Sequence, residues 1–211
     1  GQRELAEALA GLRPIRQGSV VLNGRDVTHD SPLAHIDAGQ SYIPEERMRE
    51  GAIKDFSVAD NFILEDHGKR PYSRATFFDF KAIAEQTRKA VDAYSVKTPS
   101  LDTPLKNLSG GNIQKLILAR ELSRQPSVLI AAQPTRGVDI GASEYIHQRL
   151  LQQRQAGTAT LLISEDLDEI RALSDRIAVI YEGKIVGVVN ANEATVEQLG
   201  LMMAGVNEVH A

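Results

Sequence analysis

Apolar residues open the chain at helical spacing. Leu5, Leu9 and Leu12, with Ala6 and Ala8 between them, predict an amphipathic helix over residues 3–10. GSVVLNG (18–24) predicts a short strand ending at a turn. Ser31-Pro32 opens a short helix and Gly39 closes it. SYIPEE (41–46) reads as a strand running into a charged loop, and Ser57 as the cap of a helix over VADNFIL (58–64). The polar stretch 65–75, with its Gly and Pro, reads as a loop. A long helix is expected over 75–94, with Phe80, Ile83, Thr87 and Val91 along one side, then a second loop over 96–107. Residues from about 58 to 125 are expected to form a mostly helical lobe.

Beyond that lobe the pattern alternates strictly. SVLIAA (127–132) is an apolar run of the kind a buried parallel strand needs. A helix over 143–157 turns Ile146 and Leu150 inward and stops at Gly157; TATLLIS (158–164) reads as a second buried strand, and DLDEIRAL (166–173) as the next helix. Residues 176–189 read as a hairpin around Glu182-Gly183, and 195–205 as a terminal helix with Met202 and Met203 in packing positions. Strands alternating with helices predict an α/β fold whose parallel sheet is covered on both faces. There is no internal repeat or low-complexity tract.

The 211 residues are 42% hydrophobic and 25% charged, which argues against disorder. A formal charge of 24 − 28 = −4 argues against a protein that holds nucleic acid by bulk electrostatics. No apolar run approaches the roughly 18 residues of a membrane-spanning helix. With no cysteine, disulfides and thiol chemistry are excluded. His29, His35, His67, His147 and His210 are scattered without metal-ligand spacing, so no metal site is expected from them. The first residues are neither a signal peptide nor an initiator Met, so a piece of a longer chain is expected.

The chemistry concentrates in LSGGNIQKLILARELSRQPSVLIAAQPTRGVD (108–139). Ser109 precedes Gly110, Gly111 and a helix marked by Ile113, Leu116 and Ile117. A serine cap leaves free N–H groups at the helix start, the glycines admit close approach, and the dipole favours negative charge there. That combination suits a phosphate. On its own, Ser-Gly-Gly also fits an ordinary capped helix.

In company it says more. LSGGN with Gln114, QPTRGVD (133–139), DRIAVIYEGKIV (175–186) and the opening GQRELAEALAGLRPIRQGSVVLNGRDV resemble, in order and spacing, the ATP-binding-cassette (ABC) ATPases. The resemblance implies a P-loop NTPase cassette over residues 1–211 that lacks its N-terminal start, with a mostly parallel sheet, an antiparallel β part and the helical lobe. It also implies that the missing first strand belongs in the sheet. Two such cassettes face each other, each nucleotide lying between the phosphate loop of one and the signature of the other. The resemblance therefore implies that Ser109, Gly110, Gly111, Asn112 and Gln114 serve a nucleotide in trans, and that Asp139 in the D-loop contacts the opposite cassette. Asp139 also fits a simple helix cap near Ala142.

The departures are as informative. The family's phosphate loop ends Gly-Lys-Ser/Thr; here Gly1, Gln2, Arg3 and Glu4 stand as a degenerate cis phosphate loop, whose helix N–H groups still suit a bound nucleotide that is not turned over. Lys would meet the β/γ phosphates and the hydroxyl Mg²⁺. Where Asp-Glu-Pro-Thr is expected, the chain reads Ala132-Gln133-Pro134-Thr135. Ala offers no ligand atom, and an amide cannot take a proton as a carboxylate can. The family's switch His is replaced by Glu165, and its Q-loop Gln by Glu45. Losing Lys, metal ligand, base and switch together implies a cis site relieved of hydrolysis beside an intact signature.

This pattern resembles the second cassette of the tandem ATPases of simple-sugar and nucleoside importers, and AAQPTRG resembles the nucleoside-type members. The resemblance implies ATP and Mg²⁺ as cofactors, the metal held mainly by the partner cassette. The implied partners are an N-terminal cassette on the same polypeptide, membrane permease subunits and, indirectly, a substrate-binding protein, with no nucleic acid. It places the protein peripherally at the cytoplasmic face of the cell membrane and predicts that the fragment alone is inactive. The competing readings are a non-catalytic scaffold or regulatory cassette, against which the intact signature argues, and a soluble ABC ATPase of translation or DNA repair, against which the acidic balance argues. Glu45, Glu46, Arg47, Arg49 and Glu50 form a charged run whose default is a solvated loop; in the family this loop touches the membrane subunit. Phe56, Phe62, Phe77, Phe78 and Phe80 are expected mostly as core or lobe packing.

Overall fold

The computed structural model describes residues 1–206; His210 lies outside them. Helix α1 (Gln2–Leu9) opens the chain. Strands β1 (Val21–Leu22) and β2 (Arg25–Asp26) pair across Asn23-Gly24, both at positive φ (51° and 79°), as a tight two-residue hairpin requires. Then come α2 (Pro32–Asp37), capped by Ser31, β3 (Gln40–Ile43), a wide helical turn (Arg47–Gly51) and α3 (Val58–Phe62). Ser57 and Asp60 form a reciprocal capping box at the start of α3.

The lobe residues depart from expectation at one point. The loop expected over 65–75 and the first turns of the expected helix instead hold a hairpin, β4 (Ser73–Arg74) with β5 (Phe77–Phe78). Helix α4 (Phe80–Ala93) starts only where the Asp79 carboxylate accepts from Ala82 N at 3.0 Å. An N-cap thus sets the boundary that the apolar period missed. Ile83, Thr87 and Val91 are buried as expected, but Phe80, at the first helical position, is 75% exposed. Phe56, Phe77 and Phe78 are exposed too, leaving Phe62 as the aromatic of that set in the core.

A 3₁₀ turn (Leu105–Asn107) leads into α5 (Gly110–Ser123), followed by β6 (Val128–Ala132), α6 (Ile140–Gln155), β7 (Ala159–Ile163) and α7 (Leu167–Leu173). Helix α6 begins three residues earlier than its apolar pattern indicated, because Asp139 caps it, accepting from Ala142 N at 2.9 Å. Strands β3, β6 and β7 form a parallel sheet in that order, Gln40 opposite Val128 and Val128 opposite Ala159. Helix α5 is buried along most of its length and carries the main core with Ile43, Leu105, Leu129 and Ile146.

The last strands, β8 (Arg176–Tyr181) and β9 (Lys184–Asn190), form an antiparallel pair that packs with α8 (Val196–Met203) into a separate apolar cluster. Met202 is buried there and Met203 is not. Strand β6 is buried as its sequence indicated, but β7 is not: Ala159, Thr160 and Leu161 are exposed. The cause is topological. Strand β7 pairs only with β6 and β8 only with β9, so their free edges flank a cavity of about 400 Å³ lined by Leu5, Leu161, Leu173 and Ile177 among others.

Candidate functional site

Two clusters of the expected site residues stand apart. The first is the tip of α5. Ser109 takes an extended backbone (φ −66°, ψ 155°), and its Oγ accepts from Asn112 N at 3.4 Å and Asn112 Nδ2 at 2.9 Å. Both contacts use the oxygen, so the hydroxyl proton stays available to an outside acceptor. Asn112 Oδ1 in turn accepts from Lys97 N at 2.8 Å, tying the tip to the preceding loop. Ser109 is exposed, Gly110 half-buried and Gly111 buried. Gln114 is buried one turn on.

The tip has close neighbours. A Cβ on Gly111 would meet Ala142 Cβ at 3.1 Å and Asp139 Oδ2 at 3.5 Å. A Cβ on Gly110 would meet an Arg47 guanidinium nitrogen at 2.9 Å and Gly137 O at 3.4 Å. The structure therefore brings Ser109, Gly110, Gly111 and Asp139 together, and adds Arg47. Burial lowers the Arg47 pKa from arginine's ordinary value. Nothing in the sequence marks Arg47 beyond its place in a charged run.

The second cluster lies where β6 and β7 end and α1 begins. Ala132 closes β6, and Gln133 follows with a left-handed backbone (φ 48°), its N–H donating to Ile163 O at 2.7 Å. Gln133 Oε1 accepts from Glu165 N, and Gln2 Nε2 donates to Glu165 Oε1, each at 3.5 Å. Three of the expected site residues, Gln2, Gln133 and Glu165, thus meet at one point.

Arg3 turns away from it, donating to Glu7 at 3.0 Å and pairing with Glu50; the Glu7 hydrogen bond and the Glu50 charge raise its pKa. Glu4 is in the first turn of α1, with no side-chain cap from Gly1. Glu45 is not at this point either: it pairs with Arg136. The side chains that meet here are one carboxylate, Glu165, and two amides, Gln2 and Gln133, with Ala132 preceding Gln133, so a single negative group would stand against any divalent cation.

Behind this point Glu169, 3% exposed, accepts from Thr135 Oγ1 at 2.9 Å and lies 2.7 Å from His147 Nε2, joining the end of β6 to α6 and α7. The sequence reading did not find this knot, because its members are far apart in the chain. Deeper still, Arg120, Glu121, Glu65 and Arg124 form a buried ion network, with Arg120 Nε 2.8 Å from Glu121 and Arg124 2.7 Å from Glu65. It anchors α5 to the end of α3, while Ser41 Oγ donates to Glu121 O at 2.8 Å and ties α5 to β3.

Comparison with known proteins decides the family. A family model described as ABC transporter matches residues 1–136. This chain belongs to the ABC transporter family. It is 44% identical over 211 residues to the guanosine import ATP-binding protein NupO of Bacillus subtilis (strain 168), covering 100% of this chain and 41% of that protein. Similarity to the glucose import ATP-binding protein TsgD13 of Haloferax volcanii is 45% over 207 residues, covering 97% of this chain and 38% of the relative. This ABC chain thus spans about two fifths of the length of these curated relatives.

Solved structures give the fold. The dimeric post-hydrolysis state of the ATP-binding cassette MJ0796 bound to ADP and Pi superposes with a TM-score of 0.72 at 17% identity, covering 89% of this chain and 79% of that one. A nucleotide-free ATP-binding cassette from an ABC transporter gives 0.69 at 19% identity, covering 98% and 82%. The architecture is the P-loop ABC cassette, mixed α/β with a parallel sheet and antiparallel parts. Among the described residues no helix is long and apolar enough to cross a membrane.

Proposed function

We propose that this chain is the second, chemically idle cassette of a tandem ABC importer ATPase, lending Ser109, Gly110 and Gly111 to a nucleotide held by the facing cassette. The observation that carries the reading is the contrast between the two clusters. At one, two amides and a single carboxylate, Gln2, Gln133 and Glu165, meet beside an alanine through contacts of 3.5 Å. At the other, an exposed serine cap with an uncommitted hydroxyl proton stands over two glycines.

When bound, ATP with Mg²⁺ supplies the phosphoryl group and its charge. What this chain contributes is direction. The Ser109 hydroxyl and the N–H groups of the first turn of α5 point donors at phosphate oxygens and oppose the charge that develops on them. Gly110 puts no side chain over that half-buried backbone, Gly111 lets α6 pack close behind the tip, and Asp139 sets the start of α6 against it. In its own site Ala132 offers nothing to a metal, the Gln133 amide cannot act as a base, and the Glu165 carboxylate repels phosphate.

The names of the relatives, import ATP-binding proteins for guanosine and for glucose, support uptake of a nucleoside or simple sugar as the work driven. The partners are then an N-terminal cassette on the same polypeptide, permease subunits at the cytoplasmic face of the membrane and a substrate-binding protein.

The test is Ser109→Asp against Ser109→Asn in the intact ATP-binding protein. Both residues cap a helix well, so folding is preserved. Only Asp places negative charge where phosphate must sit. Hydrolysis is expected to fall by about 10²-fold or more in Ser109→Asp, and far less in Ser109→Asn. Equal rates in the two variants would reject the trans role.

A further inference from the structure

Arg47 ties three segments that the sequence keeps far apart. Its Nη1 donates to Arg136 O at 2.5 Å and its Nη2 to Gly137 O at 2.9 Å. The same Nη2 lies 2.9 Å from where a Cβ on Gly110 would stand, and 3.3 Å from one on Gly137, whose φ is +65°. Any side chain at either glycine would crowd the guanidinium. A second bond runs in the opposite sense, from the Arg136 side chain to Glu45. Among the described residues Arg47 itself makes no ion pair; its charge is spent on backbone carbonyls.

We propose that Arg47 is a positioning residue for hydrolysis at the facing cassette, acting through the Arg136–Asp139 loop to hold the α5 tip in its working geometry. The inference rests on the trans role proposed for that tip. The route is a sequence of contacts. Arg47 fixes the carbonyls at 136 and 137, that loop carries Asp139, Asp139 caps α6, and Asp139 and Ala142 abut Gly111. Neither Arg47 nor Glu45 needs to touch the nucleotide. Releasing the two carbonyls frees the loop to shift, and a displaced Asp139 no longer holds the start of α6 against the tip. Donors aimed at a transition state lose effect when they move by a fraction of an ångström.

The experiment compares Arg47→Gln, Arg47→Lys and Glu45→Gln in the intact ATP-binding protein, reading kcat and KM for MgATP and the melting temperature. Arg47→Gln is expected to lower kcat by about tenfold with KM within about twofold of the parent, the signature of an interaction felt only in the transition state. Arg47→Lys recovers part of the rate, since an ammonium reaches one carbonyl where the planar guanidinium spans two. Glu45→Gln lowers kcat in the same direction by less. Should Arg47→Gln not fold, Arg47→Lys and Glu45→Gln carry the test. A folded Arg47→Gln with parental kcat overturns the proposal, as does a loss confined to KM, or parental kcat in both Arg47→Lys and Glu45→Gln. If Ser109→Asp hydrolyses like Ser109→Asn, the trans role itself falls. If Ser109→Asp is inactive and Arg47→Gln is not impaired, only the positioning role falls.

Discussion

Gln133 makes its firmest bond with its backbone, the 2.7 Å contact to Ile163 O, while its side chain reaches Glu165 N only at 3.5 Å. Gln133→Ala in the intact protein is therefore expected to change hydrolysis by less than about threefold, under 1 kcal/mol of barrier. Steady-state ATPase measurement checks this, and a loss as deep as that of Ser109→Asp would mean that the site beside Ala132 takes part in the chemistry. Residue identity made this point legible in the sequence: an alanine and two amides are chemically poor wherever they fold. Arg47 was not legible, because an arginine in a run with Glu45, Glu46, Arg49 and Glu50 carries no sign that its targets are carbonyls some ninety positions away. Side chains that bond backbone leave no complementary residue type to find.

At the scale of elements, capped and strongly periodic segments were legible, and boundaries set by a single side chain were not. Asp79 and Asp139 each begin a helix away from the limit that apolar periodicity suggested. Strand β7 reads as apolar as β6, yet only β6 has a neighbour on both edges, and pairing order is not written in a strand's own residues. Helix α5 is buried nearly all round, so its apolar stripe is weak. Its docking relies on charge: burial raises the Glu65 pKa, but Arg120 and Arg124 outweigh it and hold the carboxyl below its ordinary value. A lowered folded-state pKa gives stability that is present above the usual glutamate range and lost as pH falls through the folded value. Glu65→Gln is thus expected to cost about 1–3 kcal/mol near neutral pH and to flatten the acid limb of the stability profile. Urea denaturation from pH 7 to pH 3 reads both effects; parallel profiles for parent and variant would contradict the assignment.

For the whole molecule, the alternation of strands and helices gave the fold class, and the order of short motifs gave the family. Two features needed the third dimension. One is the separation of the tip of α5 from the cluster at Gln2, Gln133 and Glu165, which makes a division of labour between facing cassettes geometrically sensible. The other is the pairing order, in which β7 meets β6 on one edge alone while β8 and β9 form a sheet of their own. The division of labour is tested most directly by a structure of the assembled cassette pair trapped with MgADP and vanadate. The account predicts vanadate against Ser109 and Gly111, with magnesium held by the facing cassette. Vanadate and magnesium seated between Gln2 and Ala132, with Ser109 bare, would contradict it.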